Sequence, residues 1–99
     1  PDQIGEADNP VCGDRVHLEF RLDDSGRVVE AAFDAQGCVI CLAASSMLTE
    51  HIQGLSLVEL EELTEQDLLD LIGVELGQAR TRCALVVWEA LGNALQAEE

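Results

Sequence analysis

Two stretches in the N-terminal third of the chain alternate apolar and polar residues, which is the period of a half-buried β-strand. The apolar positions of the first stretch are Val16, Leu18, Phe20 and Leu22, and those of the second are Val29, Ala31, Phe33 and Ala35. The turn sequence Asp23-Asp24-Ser25-Gly26 lies between them, so we predict an antiparallel hairpin. The polar residues 1–11 before the hairpin leave room for a short edge strand.

After Gly37 the apolar residues recur every three or four positions, which indicates a helix. We predict this helix from about Cys38 to Gln53, with Gly54 ending it. Its predicted inner face comprises Ile40, Ala43, Ala44, Met47, Leu48 and Ile52.

Three further helices are expected in the second half of the chain. Ser56 and Thr64 suit the N-caps of two short acidic helices, of which the second ends at Gly73. The last helix begins between Gln78 and Cys83, and its predicted inner face is Cys83, Val87, Ala90, Leu91 and Ala94. Strands followed by helices indicate an α+β fold, in which a small antiparallel sheet (a hairpin with an optional edge strand) is covered on one face by about four helices. We expect residues 1–99 to form a single domain.

Charge narrows the classes of partner. The chain has 20 Asp and Glu residues against 5 arginines and no lysine, for a net charge of −15. This balance argues against binding nucleic acid or anionic membranes and favours basic protein partners. No apolar run approaches the roughly 18 residues of a membrane span. No Lys or Arg lies between Arg27 and Arg80, so the acidic helices form either a docking face or a solubilising one.

Four cysteines carry the candidate chemistry of the chain: Cys12, Cys38, Cys41 and Cys83. An even number would allow a disulfide framework. A chain that is 47% hydrophobic does not need crosslinks, however, and no signal peptide is visible. We therefore expect reduced thiols in the cytoplasm, available for metal or sulfur chemistry.

Three of these cysteines, Cys12, Cys38 and Cys83, lie where a thiolate could be stabilised or joined by another ligand. Cys12 is followed two residues later by Asp14, Cys38 begins a predicted helix, and Cys83 follows two arginines. Three thiolates and one carboxylate can hold zinc or iron–sulfur chemistry in a tetrahedral site. Spacing alone leaves an equal alternative, in which the cysteines are small buried apolar residues.

Another class of protein is suggested by Cys38-Val39-Ile40-Cys41 at a helix start, which has the layout of a thioredoxin-type thiol oxidoreductase. A hairpin precedes the motif, rather than the βαβ unit of that fold. No proline follows it, so no later cis-proline could face the thiols. This alternative is therefore disfavoured.

Three motifs together resemble the NifU-like, IscU and SufU family of iron–sulfur cluster assembly scaffolds. The first is Asn-Pro-Val-Cys-Gly-Asp at 9–14. The second is Phe33 with Gly37-Cys38 and the segment 43–49. The third, Arg-Thr-Arg-Cys-Ala-Leu at 80–85 with Trp-Glu-Ala-Leu at 88–91, is most similar to the SufU-like branch. The motifs occur in the family's order from Asn9 to about Leu95, and the family's usual N-terminal helix is absent from the sequence.

The resemblance implies that Cys12, Asp14, Cys38 and Cys83 converge as the ligand set. It implies a non-enzymatic scaffold that accepts sulfur from a cysteine desulfurase, holds a transient [2Fe–2S] cluster or zinc, and supplies recipient apo iron–sulfur proteins. A zinc-dependent sulfur-transfer shuttle of the SufU type is the alternative within the family.

The chain also departs from the family's patterns. Arg82 stands where IscU has a histidine, and the Pro-Val-Lys chaperone-docking segment is missing. The segment between Cys38 and Cys83 is too short for the usual SufU insertion. Cys41 stands where the family commonly has serine, and we expect it to pack as a small apolar residue outside the ligand set.

Three residues outside these motifs could also carry chemistry, namely His17, His51 and Trp88. We expect both histidines to be ordinary surface or edge residues and Trp88 to be packed against the core.

Overall fold

The computed structural model describes residues 2–11 and 13–96. Within these residues three strands precede four helices: β1 (Asp2–Asn9), β2 (Asp14–Leu22), β3 (Val28–Gln36), α1 (Val39–Ile52), α2 (Leu57–Glu62), α3 (Glu65–Ile72) and α4 (Gln78–Gln96). The strands form one antiparallel sheet in the order β1-β2-β3. Helices α1 and α4 pack on one face of this sheet. The predicted α+β fold is confirmed.

The central strand β2 alternates buried and exposed residues along its length, as its sequence predicts. Its buried side chains are Asp14, Val16, Leu18, Phe20 and Leu22. Asp14 therefore lies on the core face of the sheet, at the end where β2 begins. A period of two leaves no other face for it once the four apolar residues point inward.

The edge strand is longer than the sequence pattern suggested. β1 pairs with β2 from Asp2 opposite Arg21 to Asn9 opposite Asp14. At Gly5 the strand touches α4 so closely that a Cβ atom would overlap the carbonyl oxygen of Ala90 and the backbone nitrogen of Ala94. The contact requires a glycine at this inward position, so β1 shows no apolar side chain there.

A β-bulge corrects the predicted inner face of β3. Arg21 pairs with Glu30 and Leu22 with Val28, so Val29 is the extra residue. Val28 is consequently buried at 2% exposure, whereas Val29 is 46% exposed. The prediction that Val29 points inward is therefore wrong, since strict alternation assumes a ladder without a bulge.

Helix α1 is rotated relative to its predicted inner face. Cys41, Ser45 and Thr49 are buried along with Ala44, Leu48 and Ile52, while Met47 is 37% exposed. The Ser45 hydroxyl donates a hydrogen bond of 2.8 Å to the Cys41 carbonyl oxygen. Because that bond satisfies the hydroxyl, Ser45 can be buried at little cost.

The predicted starts of the later helices are confirmed. Ser56 and Glu59 form a capping box at α2, and Thr64 and Asp67 form one at α3. All five residues of the predicted inner face of α4 are buried. Among residues 2–11 and 13–96, no helix combines the length and the hydropathy needed to cross a bilayer.

We predict that Gly5→Ala destabilises the protein by about 1–3 kcal/mol, because the added methyl group forces β1 away from α4. The matched control is Gly92→Ala on α4, where a Cβ atom meets no atom within 4 Å. This control should be stabilising by up to about 1 kcal/mol, since alanine favours helix. Denaturant unfolding of both variants measures the difference, and equal effects would contradict the role given to Gly5.

Candidate metal centre

Three predicted ligands meet at one end of the sheet. Asp14 is the first residue of β2, Cys38 is the N-cap of α1, and Cys83 lies on α4. One ligand atom from each, a carboxylate oxygen and two sulfur atoms, lie within 4.8 Å of one another. The fold therefore brings together side chains that are 24 and 45 positions apart in the sequence.

The Asp14 carboxylate is almost completely withdrawn from water, at 1% exposure. Its Oδ1 atom accepts a hydrogen bond of 3.1 Å from the backbone N–H of Cys38. Its Oδ2 atom is buried and has no hydrogen-bond partner among the residues that the structure describes. A buried carboxylate oxygen without a partner is costly, and a cation held by this oxygen and the two sulfurs would remove that cost. The donor set thus fits a metal that accepts both thiolate and oxygen ligands.

The pKa of the Cys83 thiol is shifted in the direction opposite to the one that the sequence suggests. The adjacent Asp14 side chain, followed by burial and the neighbouring Cys38, raises the pKa of Cys83 well above the ordinary value of a thiol. The prediction that the Cys83 thiolate is favoured, by Arg80 and Arg82, is therefore wrong, because Asp14, burial and Cys38 all act in the opposite direction. Both arginines are exposed, where water screens their charge, whereas Asp14 is buried beside the sulfur. A metal at this site must therefore displace a proton from Cys83.

Cys41 lies near the site but outside the group of three. It is fully buried, and burial, with smaller contributions from Asp14 and Cys38, raises its pKa to about 11. Its packing agrees with the expectation of a small apolar residue. Cys38, by contrast, is exposed, so the two cysteines of the Cys-Val-Ile-Cys sequence have different access to solvent.

Cys12 lies outside the described residues, so its place in the ligand set stays a prediction. On either side of it, Val11 and Gly13 belong to the turn between β1 and β2. The Gly13 N–H donates to the Asn9 carbonyl oxygen at 2.8 Å, and the Val11 N–H donates to the Asn9 side chain at 3.2 Å.

The histidines are not brought to this site in the structure. His17 points to the open face of β2, where Nδ1 lies 2.7 Å from a Glu6 carboxylate oxygen. A hydrogen bond with Glu6, and a second one with Glu19 that has a smaller effect, raise the pKa of His17. His51 is exposed in the last turn of α1. Trp88 packs against the core from a partly buried position on α4.

Gly37 is a site residue that sequence reasoning used only as part of a motif. A Cβ atom there would overlap Asp14 Oδ1, so the carboxylate occupies the space that any other residue would fill. The signal available in the sequence was a glycine directly before a candidate ligand cysteine.

Residues 1–98 match the family model of the NifU-like N-terminal domain. The chain belongs to this family. The Bacillus subtilis protein named zinc-dependent sulfurtransferase SufU is 34% identical over 114 residues, covering 97% of this chain and 76% of that protein. The IscU cluster assembly scaffold of Escherichia coli K12 is 28% identical, covering 96% and 82% of the two chains.

Other NifU-like relatives are considerably longer. The nitrogen fixation protein NifU of a Nostoc species is 35% identical over 92 residues, and the chain spans 30% of its length. Among solved structures, a SUF-system cluster assembly scaffold from Fervidobacterium islandicum superposes with a TM-score of 0.75 at 27% identity, covering 94% of this chain and 79% of that one. A NifU-like N-terminal domain from Brucella abortus, 18% identical with a TM-score of 0.72 and covering 94% and 76%, shares the fold.

We predict that Cys41→Ser keeps full metal stoichiometry, whereas Cys38→Ser loses tight binding because a neutral hydroxyl replaces a thiolate. Metal titration of both variants, with Asp14→Ala alongside, checks this. If Cys41→Ser bound no metal while Asp14→Ala bound normally, the ligand set would be the four cysteines, and Asp14 would not be a ligand.

Proposed function

We propose that residues 1–99 act as an iron–sulfur cluster assembly scaffold and sulfur acceptor. In this proposal Cys12, Asp14, Cys38 and Cys83 hold a transient [2Fe–2S] cluster or zinc, a cysteine desulfurase supplies sulfur, and apo iron–sulfur proteins receive the cluster. The observation that carries it is the convergence of Asp14, Cys38 and Cys83 ligand atoms within 4.8 Å in a chain of the NifU-like family. We place this activity in the cytoplasm, where thiols stay reduced.

The mixed donor set suits a site that must release its cargo. Thiolates bind iron and zinc firmly, while a carboxylate oxygen is a harder and more exchangeable ligand. Asp14 Oδ1 accepts a hydrogen bond from the Cys38 N–H, whereas Oδ2 has no partner among the described residues, so Oδ2 is the oxygen that we propose for the metal. A cluster bound by three thiolates and one such oxygen is held less firmly than one bound by four thiolates.

Sulfur acceptance needs a cysteine that a donor protein can reach, and Cys38 is exposed. Its thiolate attacks the outer sulfur of a desulfurase persulfide. A new S–S bond forms on Cys38, the S–S bond of the donor breaks, and the donor cysteine leaves as a thiolate. No net oxidation occurs, because one persulfide replaces another. Cys12 and Cys83 remain further candidates for the same step.

A second function within the family is favoured by one specific comparison. The relative that is 34% identical and covered over 76% of its length is named a zinc-dependent sulfurtransferase. In that case zinc stays bound and sulfur alone passes through the site. The position of Arg82 directly before Cys83, in place of the histidine of IscU, supports a comparison with this branch.

One experiment separates these functions. Protein purified without added metal is analysed for zinc and iron, then incubated with a cysteine desulfurase and cysteine, and separately with iron and sulfide. We expect a persulfide on a ligand cysteine and a reconstituted cluster. A persulfide on zinc-loaded protein without cluster formation would favour the sulfurtransferase. If neither a persulfide nor a cluster formed, a structural role for zinc would be the better interpretation.

The acidic helices α2 and α3 are the proposed docking surface for the basic partner. Glu61, Glu62 and Glu65 are all exposed there. We predict that replacing all three with glutamine slows association with a cysteine desulfurase about tenfold at low ionic strength, and that the difference shrinks as salt rises.

In a control variant with the same net charge, Asp24, Asp34 and Glu89 are replaced with the corresponding amides. All three residues are exposed and lie outside α2 and α3. This control should associate nearly as fast as the unmodified protein. Stopped-flow measurements of the association rate at several salt concentrations test this prediction. If both variants associated equally slowly, the acidic residues of α2 and α3 would serve solubility rather than docking.

A further inference from the structure

Gly37 has an unusual backbone conformation at the junction of β3 and α1. Its φ angle is 142°, which residues with a side chain rarely adopt. A Cβ atom there would overlap Asp14 Oδ1, lie 2.9 Å from Asp14 Cγ and lie 3.0 Å from Asp14 Cα. Both the conformation and the space therefore require glycine.

The Asp14 carboxylate lies in the space that a side chain at position 37 would occupy, and it takes one orientation there. With the carboxylate against Gly37, Oδ1 reaches the N–H of the next residue, Cys38, at 3.1 Å. That bond commits Oδ1 and leaves Oδ2 buried and without a partner among residues 2–11 and 13–96. Cys38 thus contributes its backbone to orient Asp14 and its sulfur to the same group of ligand atoms.

We propose that Gly37 is a positioning residue of the metal centre, which holds Asp14 as a ligand through one oxygen. The proposal rests on the proposed function, since it presumes that the site binds metal. A side chain at position 37 would push the carboxylate away from the Cys38 N–H. Asp14 would then lose its fixed orientation relative to the sulfurs, although every ligand remained present.

A purely structural role for Gly37 makes a different prediction. If glycine is needed only for its φ angle, Gly37→Ala lowers zinc affinity and stability by the same amount whether or not Asp14 is present. If Gly37 acts through Asp14, removing the carboxylate removes its overlap with the added Cβ atom, and the alanine then does less harm, with the cost of its φ angle remaining. A double-mutant cycle between the two positions separates these cases.

The test compares the unmodified protein, Gly37→Ala, Asp14→Ala and the double variant by competition titration with Zn²⁺ against a chromophoric chelator. We expect Gly37→Ala to weaken zinc binding about 10- to 100-fold, the range for residues that orient ligands. In the Asp14→Ala background the same change should alter affinity less than about twofold on that scale. Unchanged affinity, or the same loss in both backgrounds, would overturn the proposal.

A metal-free measurement distinguishes failure of this proposal from failure of the proposed function. The unfolding midpoints of the same four proteins should show that Gly37→Ala destabilises less when Asp14 is absent. The matched control is Gly26→Ala, because Gly26 also has a positive φ of 83° but no atom within 4 Å of its Cβ position. Its effect should be the same with and without Asp14. Absence of coupling at Gly37 overturns the proposal even if the protein binds zinc.

Amide hydrogen exchange provides a measurement that needs no variant at position 37. The Cys38 N–H should exchange at least about tenfold faster in Asp14→Ala than in the unmodified protein, because its acceptor is gone. An unchanged exchange rate at Cys38 would show that Asp14 is not held there and would overturn the proposal.

Discussion

The hydrogen bond from the Cys38 N–H to Asp14 Oδ1 ties the start of β2 to the start of α1, and the candidate metal centre depends on it. Asp14 belongs to the core face of the sheet, in line with Val16 and Leu18. Burying an unpaired carboxylate costs several kcal/mol in a protein. The apolar packing of β2 against the helices must therefore hold Asp14 in a position that it would not take by itself.

The N-caps of α1, α2 and α3 differ, and the least stabilising of them is at the candidate site. α2 and α3 each begin with a complete capping box. α1 begins with Cys38, whose side chain makes no capping hydrogen bond. Typical N-caps contribute about 1 kcal/mol over residues without one, so an exposed thiol occupies a position that serine or threonine would stabilise. Such a local departure from good helix design is expected at functional sites.

Sequence patterns were informative where structure is set locally. The alternation in β2 and the caps at Ser56 and Thr64 each follow from interactions within a few residues. The bulge at Val29, the burial of Ser45 and Thr49 and the long pairing of β1 depend on neighbours far along the chain. For the site, the motifs pointed to Asp14, Cys38 and Cys83 as candidate ligands. The raised pKa of Cys83 and the contact between Gly37 and Asp14 arise only when β2, α1 and α4 meet.

The raised pKa of Cys83 follows from the same buried carboxyl group. The Asp14 side chain beside the sulfur raises the pKa of Cys83, and burial acts in the same direction. A divalent cation held by these residues would act in the opposite direction, since its charge would favour the carboxylate and thiolate forms of the ligands. The buried oxygen of Asp14 therefore has two consequences. It raises the pKa of Cys83, and it is a candidate metal ligand, so a metal and a proton would compete for the Cys83 sulfur.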